Sequence, residues 1–250
     1  MKLGISITGG GALGIGPLQF MRRLEADLGK KKTLASVGDA FAGTSTGSIV
    51  ATGLANGMTA ETLYNLYKDN LPKIFKKVSS TRILSKSYYR YDNSYLKKML
   101  QENFKKHMYE FKKPVYIPAT FLNGKSVEKV WGKDDGDTPQ WFAVLSSCSA
   151  PTYFNTVSRE WKGNTETYCD GGMWANDPVM VLESALVRYK AYKDNLRIIS
   201  FNTGMDHPPA ELTDKSIIGW GKYILDEWVA RTGNSGKFMA KANLGKDNVM

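Results

Sequence analysis

Short apolar runs alternate along this chain with segments whose apolar residues recur every three to four positions. Lys2 to Thr8 predicts a strand, and it runs into Gly9-Gly10-Gly11-Ala12-Leu13-Gly14. Pro17 to Leu28 then places Leu18, Met21, Leu24 and Leu28 on one helical face, with Gly29 as a stop signal. The run Val37 to Ala42 predicts a second buried strand, and Ser48 to Leu54 after it is helix-like. Thr59 is placed to cap a further helix through about Asn70, with Leu63, Leu66 and Tyr67 on its apolar side. Asn93 opens another through about His107, striped by Leu96, Met99, Leu100 and Phe104. Val115 to Phe121 and Ser126 to Trp131 predict strands paired around the Asn123-Gly124 turn. Trp141 to Cys148 predicts a short buried helix, halted before Pro151, and a loop with short strands leads from Tyr153 to Asp170. Pro178 to Tyr192 is helical in pattern, and Leu196 to Phe201 is a further buried strand. Strands alternating with helices predict an α/β fold, with a mostly parallel central sheet and helices on both faces. At 250 residues the chain suits one domain over 1–250.

Composition narrows the class. Two cysteines, Cys148 and Cys169, make no disulfide framework, and no Cys-x-x-Cys or histidine pair points to a metal. No apolar run approaches the ~20 residues that span a bilayer, and Met1-Lys2 leads into a strand rather than a leader. The expectation is a soluble cytoplasmic protein, with peripheral membrane contact left open. The formal charge of +10 comes from lysine clusters such as Lys30-Lys31-Lys32, Lys105-Lys106 and Lys112-Lys113. A solvated surface accounts for them, and so does attraction to anionic lipid headgroups. No nucleic-acid-binding motif accompanies them, so nucleic acid is not expected as a partner.

Two stretches carry the chemistry. Gly43-Thr44-Ser45-Thr46-Gly47 spells G-x-S-x-G between a predicted strand and a helix-like segment, the context that exposes a serine nucleophile above a sheet. A serine needs a base, and the two histidines, His107 and His207, sit in unpromising segments. The leading base is the carboxylate of Asp170, in Asp170-Gly171-Gly172. Gly9, Gly11 and Gly14 also satisfy G-x-G-x-x-G, the dinucleotide fingerprint, but the second strand ends without the acidic residue that would bind a ribose. The competing reading makes this loop a set of backbone donors for an oxyanion, beside the serine loop at the C-terminal edge of the sheet. Acyl transfer is the better fit, and no cofactor is expected.

Taken in order along the chain, these motifs resemble the patatin-like phospholipases, lipid acyl hydrolases with a Ser–Asp dyad. The glycine run 9–14 resembles the family's oxyanion loop, and 43–47 its nucleophile elbow. Ser146-Ser147-Cys148-Ser149-Ala150-Pro151-Thr152-Tyr153-Phe154 resembles its serine-rich helix end followed by A-P-T-Y-F. Asp170-Gly171-Gly172, with Asn176 and Pro178 beyond, resembles the segment supplying its aspartate. Leu13 departs from the Arg or Lys often found there, without removing a backbone donor. The resemblance implies a three-layer patatin-like fold and a lipid substrate. It also implies Ser45 as nucleophile, Asp170 as base, and an oxyanion hole from Gly9, Gly10, Gly11 and Thr46, with Gly14, Gly43, Gly47, Gly171 and Gly172 as shaping glycines.

On its own each motif has a plainer reading: a glycine-flanked serine, a turn, a loop asparagine, surface histidines. An aspartate base at its ordinary pKa of about 3.9 is weak at neutral pH, so burial is expected to raise it. The apolar stripe Ile217, Ile218, Trp220, Ile224, Leu225, Trp228 and Val229 reads as core packing or interface docking, and Tyr88-Tyr89-Arg90-Tyr91 as a lid, an anchor or packing. An acyltransferase or thioesterase using the same dyad, and a catalytically idle binding protein, are the competing functions.

Overall fold

A computed structural model describes residues 2–29, 31–78, 89–188, 195–204 and 229–250. Strand β1 (Lys2–Ile7) lies parallel between β2 (Ala40–Gly43) and β7 (Leu196–Phe201). Next to β2, also parallel, comes β3 (Val115–Phe121). From there the sheet turns antiparallel. β4 (Val127–Trp131) folds back along β3, β6 (Asn164–Asp170) runs against β3, and β5 (Val157–Trp161) against β6. The order is β5-β6-β3-β2-β1-β7, with β4 paired to β3. The parallel part is thus β3-β2-β1-β7, and the hairpins form the other flank.

Side-chain size sorts the two faces. Ile5, Ile7 and Phe41 point into one core with Leu18 and Met21 of α1 (Ile15–Leu28), Val50 and Leu54 of α3 (Thr46–Ala55) and Leu63 and Tyr67 of α4 (Ala60–Ile74). Leu96 and Leu100 of α5 (Ser94–Asn103) and Phe142 and Leu145 of α6 (Gln140–Ser147) complete it. The alternate positions are Gly4, Ser6, Ala40 and Ala42. That flat face admits α8 (Val179–Arg188) and α9 (Val229–Leu244), whose Val179, Leu182, Leu186 and Ala240 pack on Ala40, Ala42, Leu196 and Ile198. A Cβ on Gly4 would stand 3.0 Å from Leu182 Cδ2.

Three boundaries differ from the sequence pattern. The run expected as a strand from Val37 first makes α2 (Leu34–Val37), because the Thr33 hydroxyl accepts from Ser36 N–H and caps it; the strand starts at Ala40. Helix α4 continues past Asn70 through Pro72 to Ile74, where burial of Ile74 outweighs the one N–H that proline lacks. Helix α5 stops at Asn103, where Phe104 leaves helical geometry and buries its ring. His207 and the stripe from Ile217 to Trp228 lie outside the described residues, as does Tyr88.

The registers position the site. β2 pairs with β3 as far as Tyr116, and β6, arriving from the opposite direction, ends with Asp170 opposite Ala119. The C-terminal ends of β2 and β6 therefore close on the same short stretch of β3, at Ile117 and Pro118. A strand that delivers a serine and a strand that delivers a carboxylate meet there head to head.

A buried carboxylate fastens the segment that follows. Asp177 accepts from Ser6 Oγ on β1 (2.8 Å), Ser200 Oγ on β7 (2.6 Å) and Val179 N–H at the start of α8 (3.1 Å). Burial pushes its pKa up, and the Ser200 and Ser6 hydroxyls pull against that. Asp177→Ala strands two buried hydroxyls and an amide. It is expected to lower the unfolding free energy by about 2–4 kcal/mol in urea titration. A loss below about 0.5 kcal/mol would mean that those donors find other partners.

Candidate active site

The Gly43-to-Gly47 turn is built by close approach. A Cβ on Gly43 would lie 2.2 Å from the Gly47 carbonyl oxygen, and one on Gly47 would lie 2.4 Å from the Ile7 carbonyl oxygen. Only glycine lets the chain reverse so tightly between β2 and α3. The reversal leaves Ser45 at φ 53°, ψ −130°, a conformation unfavourable for any residue with a side chain. Side chains hold it there. Ser45 N–H donates to Ser147 Oγ (2.9 Å), which donates to the Pro118 carbonyl (2.6 Å). Ser48 Oγ donates to the Ser45 carbonyl (2.6 Å), and Thr44 Oγ1 to the Ala175 carbonyl (2.6 Å). Ser45 also sits at the N-terminus of α3, whose first amides carry partial positive charge.

Asp170 ends β6 and is 4% exposed. Its N–H donates to the Ser149 carbonyl (3.0 Å), its carbonyl accepts from Thr120 Oγ1 (2.9 Å), and Oδ1 accepts from Gly172 N–H (2.6 Å). The Ser45 hydroxyl faces the carboxylate and favours its charged form. Burial pushes the pKa up to about 7, against the pull of the Gly172 amide and the Ser45 hydroxyl. Nearby thiols stay protonated: burial drives Cys148 well up, and drives Cys169 up to about 11 with the Asp170 charge adding to it. A Cβ on Gly171 would lie 2.4 Å from the Pro118 carbonyl group, so only glycine clears β3 after Asp170.

The glycine loop following β1 lies against the elbow. A Cβ on Gly9 would stand 3.0 Å from Ser45 Cβ and 2.6 Å from Asn176 Oδ1. Gly9 N–H donates to the Asn176 carbonyl (3.0 Å), which corrects its expected role as an oxyanion donor. Its contribution is close approach. Among the described residues, no acceptor meets the amides of Gly10, Gly11 or Thr46. Gly11 has φ +55° and opens a 3-10 turn, Gly11–Gly14, ahead of α1; a Cβ on Gly14 would meet the Tyr67 hydroxyl at 2.9 Å.

His107 begins the 3-10 turn Met108–Glu110, stacks on Tyr109 and places Nδ1 3.6 Å from a Glu110 carboxylate oxygen. None of its described contacts reaches Ser45 or Asp170. Tyr91 packs edge-on against Phe75, with ring centroids 5.3 Å apart, and against Phe154 at 5.7 Å, beside Gly11 on the Phe75 side. Among the described residues no cluster of His, Cys, Asp and Glu could hold a metal ion.

Residues 5–183, which include the end of β1, the Gly43-to-Gly47 turn and Asp170, match the family model for patatin-like phospholipase. The chain belongs to the patatin-like phospholipase family. It is 30% identical over 189 residues to a cGAMP-activated phospholipase of Escherichia coli (strain TW11681), covering 70% of this chain and 52% of that protein. It is 27% identical over 199 residues to an intracellular phospholipase A2 of Caenorhabditis elegans, covering 74% of this chain and 17% of that one. Among solved structures, VipD from Legionella pneumophila aligns with a TM-score of 0.45 at 12% identity, over 98% of this chain and 67% of that one. The chain spans only part of the length of these phospholipase relatives.

Within the family-matched span, the serine-rich helix end has a physical role that the sequence alone did not reveal. Ser146 accepts from Trp131 Nε1 (2.8 Å), Ser147 bridges the elbow to β3, and the Ser149 carbonyl holds Asp170 N–H. The Tyr67 hydroxyl, which donates to the Gly11 carbonyl, and the Thr203 hydroxyl, which donates to the Gly9 carbonyl, also touch the glycine loop, and nothing in their local sequence separates them from core and loop residues.

The raised pKa of Asp170 has a stability consequence. Between the unfolded value of 3.8 and the folded value of about 7, the folded chain binds more protons. Stability from this group therefore falls as pH rises through that window. Asp170→Asn is expected to raise the melting temperature at pH 8 and leave it unchanged at pH 3, read by calorimetry. A variant less stable than wild type at pH 8 would show that the carboxylate is not strained by burial.

Proposed function

We propose that this chain is a lipid acyl hydrolase working through Ser45 and Asp170. The observation that carries the reading is the pairing itself: a serine held at positive φ on a helix N-terminus, its hydroxyl facing a buried carboxylate whose pKa burial raises to about 7. A general base works best with its pKa near the working pH. As Ser45 Oγ bonds to the ester carbonyl carbon, its proton passes to Asp170 and the carbonyl oxygen becomes an oxyanion. The amides of Gly10, Gly11 and Thr46 receive that charge. Collapse of the intermediate breaks the bond to the leaving alcohol, which takes the proton from Asp170. Water then attacks the acyl-serine, gives its proton to Asp170 and releases the fatty acid, with the proton returned to Ser45.

Lipid would be met at a bilayer surface. Exposed apolar side chains lie on the first loop, α1 and α7 (Gly172–Ala175): Leu13 is 49% exposed, Phe20 60% and Met173 44%. With a formal charge of +10, an anionic surface is the preferred partner. No helix among the described residues is long and apolar enough to cross a membrane.

The test is a fluorophosphonate probe followed by mass-spectrometric product analysis on mixed phospholipid. Labelling is expected in wild type and in His107→Ala, and is expected to vanish in Ser45→Ala. Asp170→Asn is expected to lower kcat by about 10²- to 10⁴-fold. Free fatty acid as the product supports hydrolysis. Acyl transfer to added lysolipid in place of water would favour the acyltransferase reading, and no labelling of folded wild type would favour a binding protein.

A further inference from the structure

Three consecutive carbonyls of the glycine loop are each pinned by a donor from a different part of the fold. The Gly9 carbonyl accepts from Thr203 Oγ1 (2.9 Å), the Gly10 carbonyl from Leu13 N–H (3.0 Å), and the Gly11 carbonyl from the Tyr67 hydroxyl. A peptide unit is planar, and no bond in this chain is cis, so its N–H points opposite to its C=O. Pinning the carbonyls of residues 9, 10 and 11 therefore turns the N–H groups of Gly10, Gly11 and Ala12 to the opposite side. None of the three meets an acceptor among the described residues. The middle clamp is local to the loop. The outer two come from side chains 194 and 56 residues away in sequence.

Both side chains are themselves fixed. Thr203 follows β7, and its N–H donates to Thr8 Oγ1 (2.9 Å), so the hydroxyl is held at the end of β1. Gly10 passes so close that a Cβ there would lie 2.3 Å from Thr203 Oγ1. Tyr67 is buried on α4, and burial pushes its phenol up, so it stays a protonated donor. The Thr46 hydroxyl, buried and without a partner at hydrogen-bond geometry, faces the same phenol. Tyr67 thus stands between the glycine loop and the nucleophile elbow and touches both. Thr203 lies beyond the residues 5–183 that the family match spans.

We infer that Tyr67 and Thr203 are positioning residues of the oxyanion site: their hydroxyls hold the Gly9 and Gly11 carbonyls, and so aim the amides of Gly10, Ala12 and, through the Leu13 clamp between them, Gly11. The inference rests on the acyl-hydrolase reading and adds Ala12 N–H as a donor. Neither hydroxyl touches the reacting atoms. Their effect is on the direction of the donors and appears where negative charge develops on oxygen.

That distinction supplies the test. A p-nitrophenyl ester and its thionoester are compared, because a carbonyl sulfur is a poorer acceptor and gains less from aligned amides. Tyr67→Phe and Thr203→Val are each expected to lower kcat on the oxygen ester about tenfold or more, with KM little changed. The oxygen-to-sulfur rate ratio is expected to fall with it. Thr203→Ser keeps the hydroxyl and is expected to retain both the rate and the ratio, which separates loss of the hydroxyl from loss of packing in Thr203→Val. An unmoved ratio in both hydroxyl-free variants, or equal loss on the two esters, overturns the inference. Turnover in wild type that does not depend on Ser45 removes the parent reading as well. Ser45-dependent turnover with an unmoved ratio removes this inference alone.

Discussion

A carboxylate taken out of water is the constraint around which this molecule is arranged. Asp170 is buried at the tip of β6, and ionising it there is costly unless donors stand ready. Two do, the Gly172 amide and the Ser45 hydroxyl, and they offset the burial only in part, so its pKa rests near neutrality. For the proposed base role the incomplete offset is the useful feature. A fully satisfied carboxylate would be a weak base, and an unsatisfied one would stay protonated.

The sheet makes that balance reproducible. Where β2 and β6 stop short of each other along β3, the backbone of β3 at Pro118 has neither strand to pair with, and the Ser147 hydroxyl takes its carbonyl instead. The same hydroxyl accepts the Ser45 N–H, so the elbow, the end of α6 and β3 share one small polar junction. Asp177 does the equivalent work on the opposite face, tying β1, β7 and α8 under the glycine loop. Ser45 is held at its positive φ through its own peptide groups, the N–H donating to Ser147 Oγ and the carbonyl accepting from Ser48 Oγ.

Much of this could be read from residue order. Alternation and helical spacing located the main strands and helices because their apolar residues are buried on one side, as with Leu18 and Met21 on α1. The glycines of 43–47 and 171 were legible because close backbone approach excludes every other residue. What escaped was whatever depends on a partner distant in sequence. Thr33 turned an apolar run into a helix through a reciprocal pair of capping bonds with Ser36. The Gly9 N–H is a candidate oxyanion donor by its place in the loop, but in the fold it donates to the Asn176 carbonyl. Tyr67 fitted a core stripe as well as a clamp, and only the fold sets its hydroxyl against the Gly11 carbonyl.

In the proposed mechanism a buried aspartate, and no histidine, activates Ser45. The most direct measurement is the pH dependence of fluorophosphonate labelling in a chain with both His107 and His207 replaced by alanine. A single rise in rate centred near pH 7 is expected, superimposable on wild type and absent in Asp170→Asn. A rise that is lost with the histidines and kept in Asp170→Asn would contradict it.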